Sequence, residues 1–235
     1  CSTFKRAFVE GSIQVMRRTK DYKIDFDMKA RWGTPHSIHR FTKSKIELQE
    51  ICNLVAKDED VAWVKRDGLH FGETTIPVYG MAADHAEFLV TYYTPEGGRI
   101  LDPFMGRATN GFACLEHGRE FIGYDVFDKN VNRTQQVMDE YYPDSAFQLF
   151  HSDGTELHEL KDKSEYLDAV VTDPPYFLKA EKYSSDGRDL SSMSHEDYMD
   201  RISNCFKQLY RLIKTSKFDE KIFYPVIFKV SHQRR

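Results

Sequence analysis

From about Arg99 onward the chain alternates short apolar runs with amphipathic stretches, and this alternation limits the fold more than any other feature. Arg99–Phe104 is an apolar run carrying Asp-Pro near its end, and Ala108–His117 has helical periodicity with Gly118 as its stop. Glu120–Val126 reads as a second strand, followed by a helix from Asp128 to Tyr142 that Pro143 terminates. Ala146–Phe150 makes a third strand. Leu167–Thr172 makes a fourth, nearly all apolar as expected when both faces of a parallel strand are covered. His195–Ile213 places Met199, Ile202, Phe206, Leu209, Tyr210 and Ile213 near one helical stripe, with Ser194 as N-cap and Asp197 completing a capping box. Ile222–Val230 is a fifth strand. Strands alternating with helices imply right-handed crossovers and an α/β, doubly wound, mostly parallel sheet, which binds ligands beyond the carboxyl ends of its strands.

Upstream, Lys45–Val55 has helical spacing, Val61–Phe71 reads as a hairpin around Asp67-Gly68, and residues 84–93 read as a helix leading into the first strand. We therefore divide the chain into a basic N-terminal extension, 1–79, and a catalytic domain, 80–235. Residues 1–45 hold 11 Lys and Arg against 4 Asp and Glu, while the rest is net acidic. Such an arm suits a polyanion partner, since clustered cations release counterions from phosphates, and it suits a solvated surface segment equally well. With 40% apolar and 14% aromatic residues, the 235-residue chain has ample material for a core and is no disordered or fibrous sequence. No membrane-spanning run is expected. Cys1, Cys52, Cys114 and Cys205 lack CxxC spacing and read as reduced thiols of a cytoplasmic protein. The chain opens on Cys and not Met, as expected of a fragment of a longer product.

The most specific segment is Asp173-Pro174-Pro175-Tyr176, directly after the fourth strand. Two prolines fix φ and remove two N–H donors, so the turn is stiff and its carbonyls point outward as acceptors. With the Asp173 carboxylate, the turn can accept both hydrogens of an exocyclic amino group, and Tyr176 offers a flat face for an extruded base. The bland alternative is a strand stopped by two prolines. A second segment, Asp102-Pro103-Phe104-Met105-Gly106, ends the first strand ahead of a helix, where a glycine lets backbone approach a ligand. It does not match the GxGxxG dinucleotide fingerprint. Asp125 ends the second strand, where a carboxylate can hold a ribose diol, and Asp153 follows the third. As a zinc set His36, His39 and Cys52 are too unevenly spaced, and no metal is expected.

Together, the strand-end acids and the double-proline turn resemble the DNA amino-methyltransferases, which methylate adenine N6 or cytosine N4 with S-adenosylmethionine. The resemblance runs over residues 80–235 and is closest in RILDPFMGRATNGFACLEHGREFIGYDV and VVTDPPYF. It implies a Rossmann-like methyltransferase fold, with Asp102, Phe104, Met105, Gly106 and Ala108 at the methionine end of the cofactor. Asp125 would hold the ribose and Asp153 the adenine, with His85 as a further contact from the helix at 84–93. Asp173, Pro174, Pro175 and Tyr176 would receive the target base, flipped out of DNA, with adenine N6 favoured. A role in restriction–modification, in a prokaryotic or phage-encoded protein, goes with the family.

Two departures stand out. Arg107, Ala108 and Thr109 replace the family's usual Ser-Gly-Thr, and a positive φ at Ala108 would be costly. The sheet would also lack the strands that normally follow the fifth, so a partner chain, a further C-terminal segment or the Val61–Phe71 hairpin is expected to cover its edge. Alternative readings are an RNA-base or protein-glutamine methyltransferase, and a non-catalytic nucleic-acid-binding module of the same fold.

Overall fold

A computed structural model describes residues 44–57, 59–67, 73–78, 80–175, 186–213 and 226–228. The elements in chain order are α1 (Ser44–Leu54), β1 (Trp63–Asp67), β2 (Glu73–Pro77), α2 (Ala83–Tyr93), β3 (Arg99–Asp102), α3 (Thr109–Glu116), β4 (Glu120–Asp125), α4 (Asp128–Tyr141), β5 (Phe147–His151), β6 (Ala169–Thr172), α5 (His195–Leu212) and β7 (Val226–Phe228). Short 3₁₀ turns occupy His158–Leu160 and Leu190–Ser192. Among the described residues no helix is long and apolar enough to cross a membrane.

Among the described residues five strands, all parallel, lie in the order β5-β4-β3-β6-β7. In order of appearance this is 3-2-1-4-5, the doubly wound Rossmann arrangement, and its direction reverses between β3 and β6. The crevice at that reversal is where the fold can seat a ligand.

Alternation along each strand builds the two layers that cover the sheet. Ile100, Phe121, Ala169 and Val171 point to one side, where they meet Leu48 and Cys52 of α1, Val55 just after it, Ala86 and Val90 of α2, Phe112 of α3 and Met138 of α4. Leu101, Ile122 and Val170 point to the other, against Leu157, Leu160 and the Cys205, Leu209 and Leu212 face of α5. Burying a leucine or isoleucine of this kind contributes roughly 1.5–3 kcal/mol, so the alternating register is strongly enforced. Helix α1 shares the core of the main sheet, although the boundary drawn at 79/80 sets it in the N-terminal extension.

The capping expected for α5 is present: Ser194 Oγ accepts from the Asp197 amide at 3.1 Å. Gly118 ends α3 with φ of +68°. The hairpin differs from expectation. Its strands pair Trp63 with Pro77 and Asp67 with Glu73, so the second strand lies beyond Phe71. The cause is the connection, five residues long where a two-residue turn was read. The hairpin forms its own two-stranded sheet and does not cover the edge of β7. The remainder of the Ile222–Val230 strand, the His36–His39 pair and the basic arm through Lys43 lie outside the described residues.

Candidate active site at the sheet reversal

Asp102, the last residue of β3, is the hub of the crevice. It is 1% exposed, and every interaction of its carboxylate is internal. Oδ1 accepts from the Phe104 amide at 3.0 Å and from the Thr172 hydroxyl at 2.6 Å, while Oδ2 accepts from Asn110 Nδ2 at 2.9 Å. Burial pushes the Asp102 carboxyl up to about 6 against those three bonds, which favour the charged form. One carboxylate therefore folds the turn that follows β3, docks the start of α3, and clamps β3 to the end of β6. Thr172 immediately precedes Asp173, so the clamp sets the double-proline corner beside the Asp102–Gly106 turn. Asn110 Oδ1 is buried with no hydrogen-bond donor.

Beyond Asp102 the chain enters an unusual backbone. Gly106 has φ of +53°, and nothing stands within 4 Å of where a Cβ would sit, so its backbone faces open space. Ala108, the N-cap of α3, is left-handed as well, at φ 54° and ψ 36°, and completely buried. Left-handed geometry costs an L-residue roughly 1–2 kcal/mol, and the turn retains it in a residue that is not glycine. Between them, Arg107 reaches away from the crevice to Glu59 at 2.8 Å. Met105 is 5% exposed, with its sulfur against Gly123, so its side chain belongs to the core and only its backbone is at the turn. Phe104, half-buried, packs against the apolar clusters of both α5 and the Leu190 turn.

Asp125 ends β4 beside this turn. Its Oδ1 accepts from the Phe127 amide at 2.7 Å, and Asn130 approaches Oδ2 at 3.4 Å. Burial lifts its carboxyl to about 6, with the negative charge of Asp189 adding in the same direction. The next loop is tied to the first by close approach: a Cβ on Gly154 would lie 2.7 Å from the Pro103 carbonyl carbon and nearer still to its oxygen. Only glycine lets these two backbones touch. Asp153 Oδ1 accepts from the Thr155 amide and hydroxyl at 2.8 and 2.7 Å, and Oδ2 pairs with Arg201 at 2.8 Å. His85 is half-buried in the first turn of α2.

Helix α5 contributes to both loops. Asn204 donates to the Thr155 carbonyl at 3.0 Å, and the Cys205 thiol to that of Gly154 at 3.4 Å. At the same helix's first turn the Tyr198 hydroxyl donates to the Pro175 carbonyl at 3.0 Å. Asp173, Pro174 and Pro175 are half-buried at the corner. Tyr176, Lys179 and Lys182 lie outside the described residues. Arg188, read from the sequence as a basic residue of the loop, pairs with Asp186 at 2.7 Å and holds that carboxyl down at about 2. Sequence reasoning missed Thr172, Asn110, Tyr198 and Arg201. Thr172 carried a usable signal as the one hydroxyl closing an apolar run, while the others, on helices, carried none.

The arrangement suits a nucleoside-bearing cofactor on its own chemistry: an open glycine backbone, a buried acceptor on Asn110, and desolvated carboxylates at successive strand ends. Residues 80–136 match the family model described as DNA methylase, of the N6/N4 type. The chain is 29% identical over 129 residues to the tRNA (guanine(10)-N2)-dimethyltransferase of Methanothermobacter thermautotrophicus, a stretch covering 53% of this chain and 37% of that protein. It therefore matches little more than a third of that relative's length. Among solved structures it is similar to TrmN from Thermus thermophilus, at 17% identity and a TM-score of 0.45, covering 61% of this chain and 42% of that one. A TehB-like SAM-dependent methyltransferase from Corynebacterium glutamicum is 15% identical, at a TM-score of 0.38 and coverage of 55% and 56%. Residues 80–136 thus resemble the N6/N4 DNA methylases, as the motifs led us to expect, and S-adenosylmethionine is the cofactor that goes with that family.

Proposed function

We propose that the chain methylates an exocyclic amino nitrogen of a nucleic-acid base. The observation carrying this reading is the 2.6 Å bond between Thr172 and Asp102, which holds an acceptor-rich corner next to the open Gly106 turn. The turn built on Asp102, with Phe104, Met105, Gly106 and Ala108, would hold the methionine end of the cofactor, with His85 nearby. Asp125 would accept from the ribose hydroxyls, and Asp153 from the adenine amino group through the capacity its carboxylate keeps beside Arg201. When bound, the cofactor supplies an electrophilic methyl that passes from its sulfur to the amino nitrogen, which sheds one proton.

The chain's own part is placement. An exocyclic amino group is a poor nucleophile because its lone pair is delocalised into the ring. The Asp173 carboxylate and Pro174 carbonyl accept its two hydrogens, Pro175 keeps the corner rigid, and Tyr176 stacks on the flipped base, so the lone pair is freed and aimed. Removing one such electrostatic partner commonly costs about 10²–10³ in rate. Asp173→Ala is therefore expected to lower methyl transfer at least ~100-fold while cofactor affinity stays within about twofold, read by radiolabel transfer and calorimetry. Near-wild-type transfer would remove Asp173 from the mechanism.

The family's description and the acidic residue at 173 support DNA as substrate, with adenine N6 ahead of cytosine N4. The likeness to a tRNA guanine-N2 enzyme supports a second reading, an amino group of RNA. Nucleoside mass spectrometry of DNA and tRNA from cells expressing the chain separates the two. Because β7 is the outermost described strand of the sheet, we also propose that further chain or a partner pairs with it.

A further inference from the structure

The double-proline corner has an anchoring problem. Prolines 174 and 175 have no N–H, so across the two residues that must be stiffest the backbone can donate no hydrogen bond of its own. Fixed φ angles make the turn rigid internally, yet they do not orient it relative to the cofactor turn. Orientation has to come through a carbonyl or a side chain. The corner has three carbonyls, at Asp173, Pro174 and Pro175, and the methylation mechanism needs that of Pro174 for the substrate.

Tyr198 meets this need. Its hydroxyl donates to the Pro175 carbonyl at 3.0 Å, across 23 residues of chain. Its ring is 8% exposed and sits in an apolar cluster with Leu190 and Ile202, against which Phe104 of the cofactor turn also packs. The phenol therefore leaves a cluster touching one side of the crevice and terminates on the other. The helix beneath it is well fixed: Ser194 caps it, and Asn204 and Cys205 tie it to the Gly154 loop.

Resting on the function proposed above, we infer that Tyr198 is a positioning residue for the target base. It occupies the Pro175 carbonyl, aims the corner, and thereby leaves the Pro174 carbonyl and Asp173 facing the amino group. Its hydroxyl is spent on the Pro175 carbonyl, so loss of that hydroxyl acts on the rate of transfer and leaves cofactor binding alone.

Tyr198→Phe isolates the hydroxyl, since the ring stays in its cluster. In the full chain, with the nucleic acid found to be methylated, kcat is expected to fall about tenfold, equivalent to ~1.4 kcal/mol. The cofactor dissociation constant and KM for the cofactor are expected to stay within about twofold, with a cooperative melt. Tyr198→Ala, which also empties the cluster, should add a loss of cofactor affinity that the Phe variant lacks. Unchanged kcat in Tyr198→Phe overturns the inference. So does a parallel decline of kcat, cofactor affinity and melting temperature, the signature of a merely structural contact. Asp173→Ala run alongside separates this from the broader reading: if Asp173→Ala is inactive and Tyr198→Phe is fully active, only the role of Tyr198 fails. If the wild-type chain methylates neither DNA nor RNA, both fail.

Discussion

Replacing Gly154 with alanine tests whether the loops after β3 and β5 act as one unit. The added Cβ would stand 2.7 Å from the Pro103 carbonyl carbon and 3.1 Å from its Cα. Two carbons pack at about 3.5–4.0 Å, so one loop must retreat by about 1 Å. The obstacle is backbone on both sides, and no side chain can rotate away. Overpacking of this kind costs typically ~1–3 kcal/mol. Pro103 lies between Asp102 and Phe104, so the retreat also strains the Asp102–Phe104 bond, worth about 1 kcal/mol. A loss of ~2–4 kcal/mol at roughly 2–4 °C each lowers the melting temperature by about 4–16 °C. Since a displacement of 1 Å at a reacting centre can cost ~10²-fold in rate, methyl transfer is expected to fall further than stability alone would bring it. Thermal unfolding and radiolabel transfer read the two effects, with cofactor titration alongside. Gly187→Ala is the control: that glycine is exposed with nothing within 4 Å of its Cβ position, and the change should be neutral or slightly stabilising. If Gly154→Ala melts within 1 °C of wild type (~0.3 kcal/mol or less) and binds cofactor normally, the contact between the loops is wrong.

Two further outcomes follow from the same crevice. Asp102 has its folded-state carboxyl raised to about 6, above the ~3.9 of an unfolded aspartate, so its contribution to stability is fully present below that lower value and is lost as pH rises through 6. Wild type is thus expected to lose up to about 3 kcal/mol from this residue between pH 4 and 7, and Asp102→Asn to show a flatter pH profile in denaturant melts. An identical slope in both would refute the assignment. At Ala108 glycine relieves left-handed strain of ~1–2 kcal/mol but forfeits a buried methyl worth ~0.8 and gains unfolded-state entropy, so Ala108→Gly should melt within a few degrees of wild type. Ala108→Val, β-branched at a left-handed and fully buried position, should lose more than ~3 kcal/mol by the same assay.

The doubly wound sheet was legible because parallel strands buried on both faces declare themselves as short apolar runs, and because their ends carry acids that punctuate each run. Segments such as Leu167–Thr172 and Glu120–Val126 needed no partner to be read. The hairpin misled at its second strand, since Asp67-Gly68 imitates a tight turn while the chain runs on to Glu73 before pairing. Within the site, Asp102 was placed correctly at its strand end, but its use was not visible. Its partner Thr172 is 70 residues away, and Arg201 lies 48 residues from Asp153. Local pattern encodes which residues end strands; pairings between ends emerge only when the sheet assembles. The left-handed turn at Ala108 is a similar case, because alanine there contradicts local propensity and only its fully buried surroundings sustain it.

The way α5 spans the crevice bears on how such a protein can diversify. One end of the helix steadies the corner and its middle grips the loop below, so the helix is shared equipment. Substitutions along this face that shift the corner would be felt by the loop after β5 as well, and the reverse. Chimeras between relatives should accordingly transplant the whole 194–212 segment together with the loops it serves, as a single cassette.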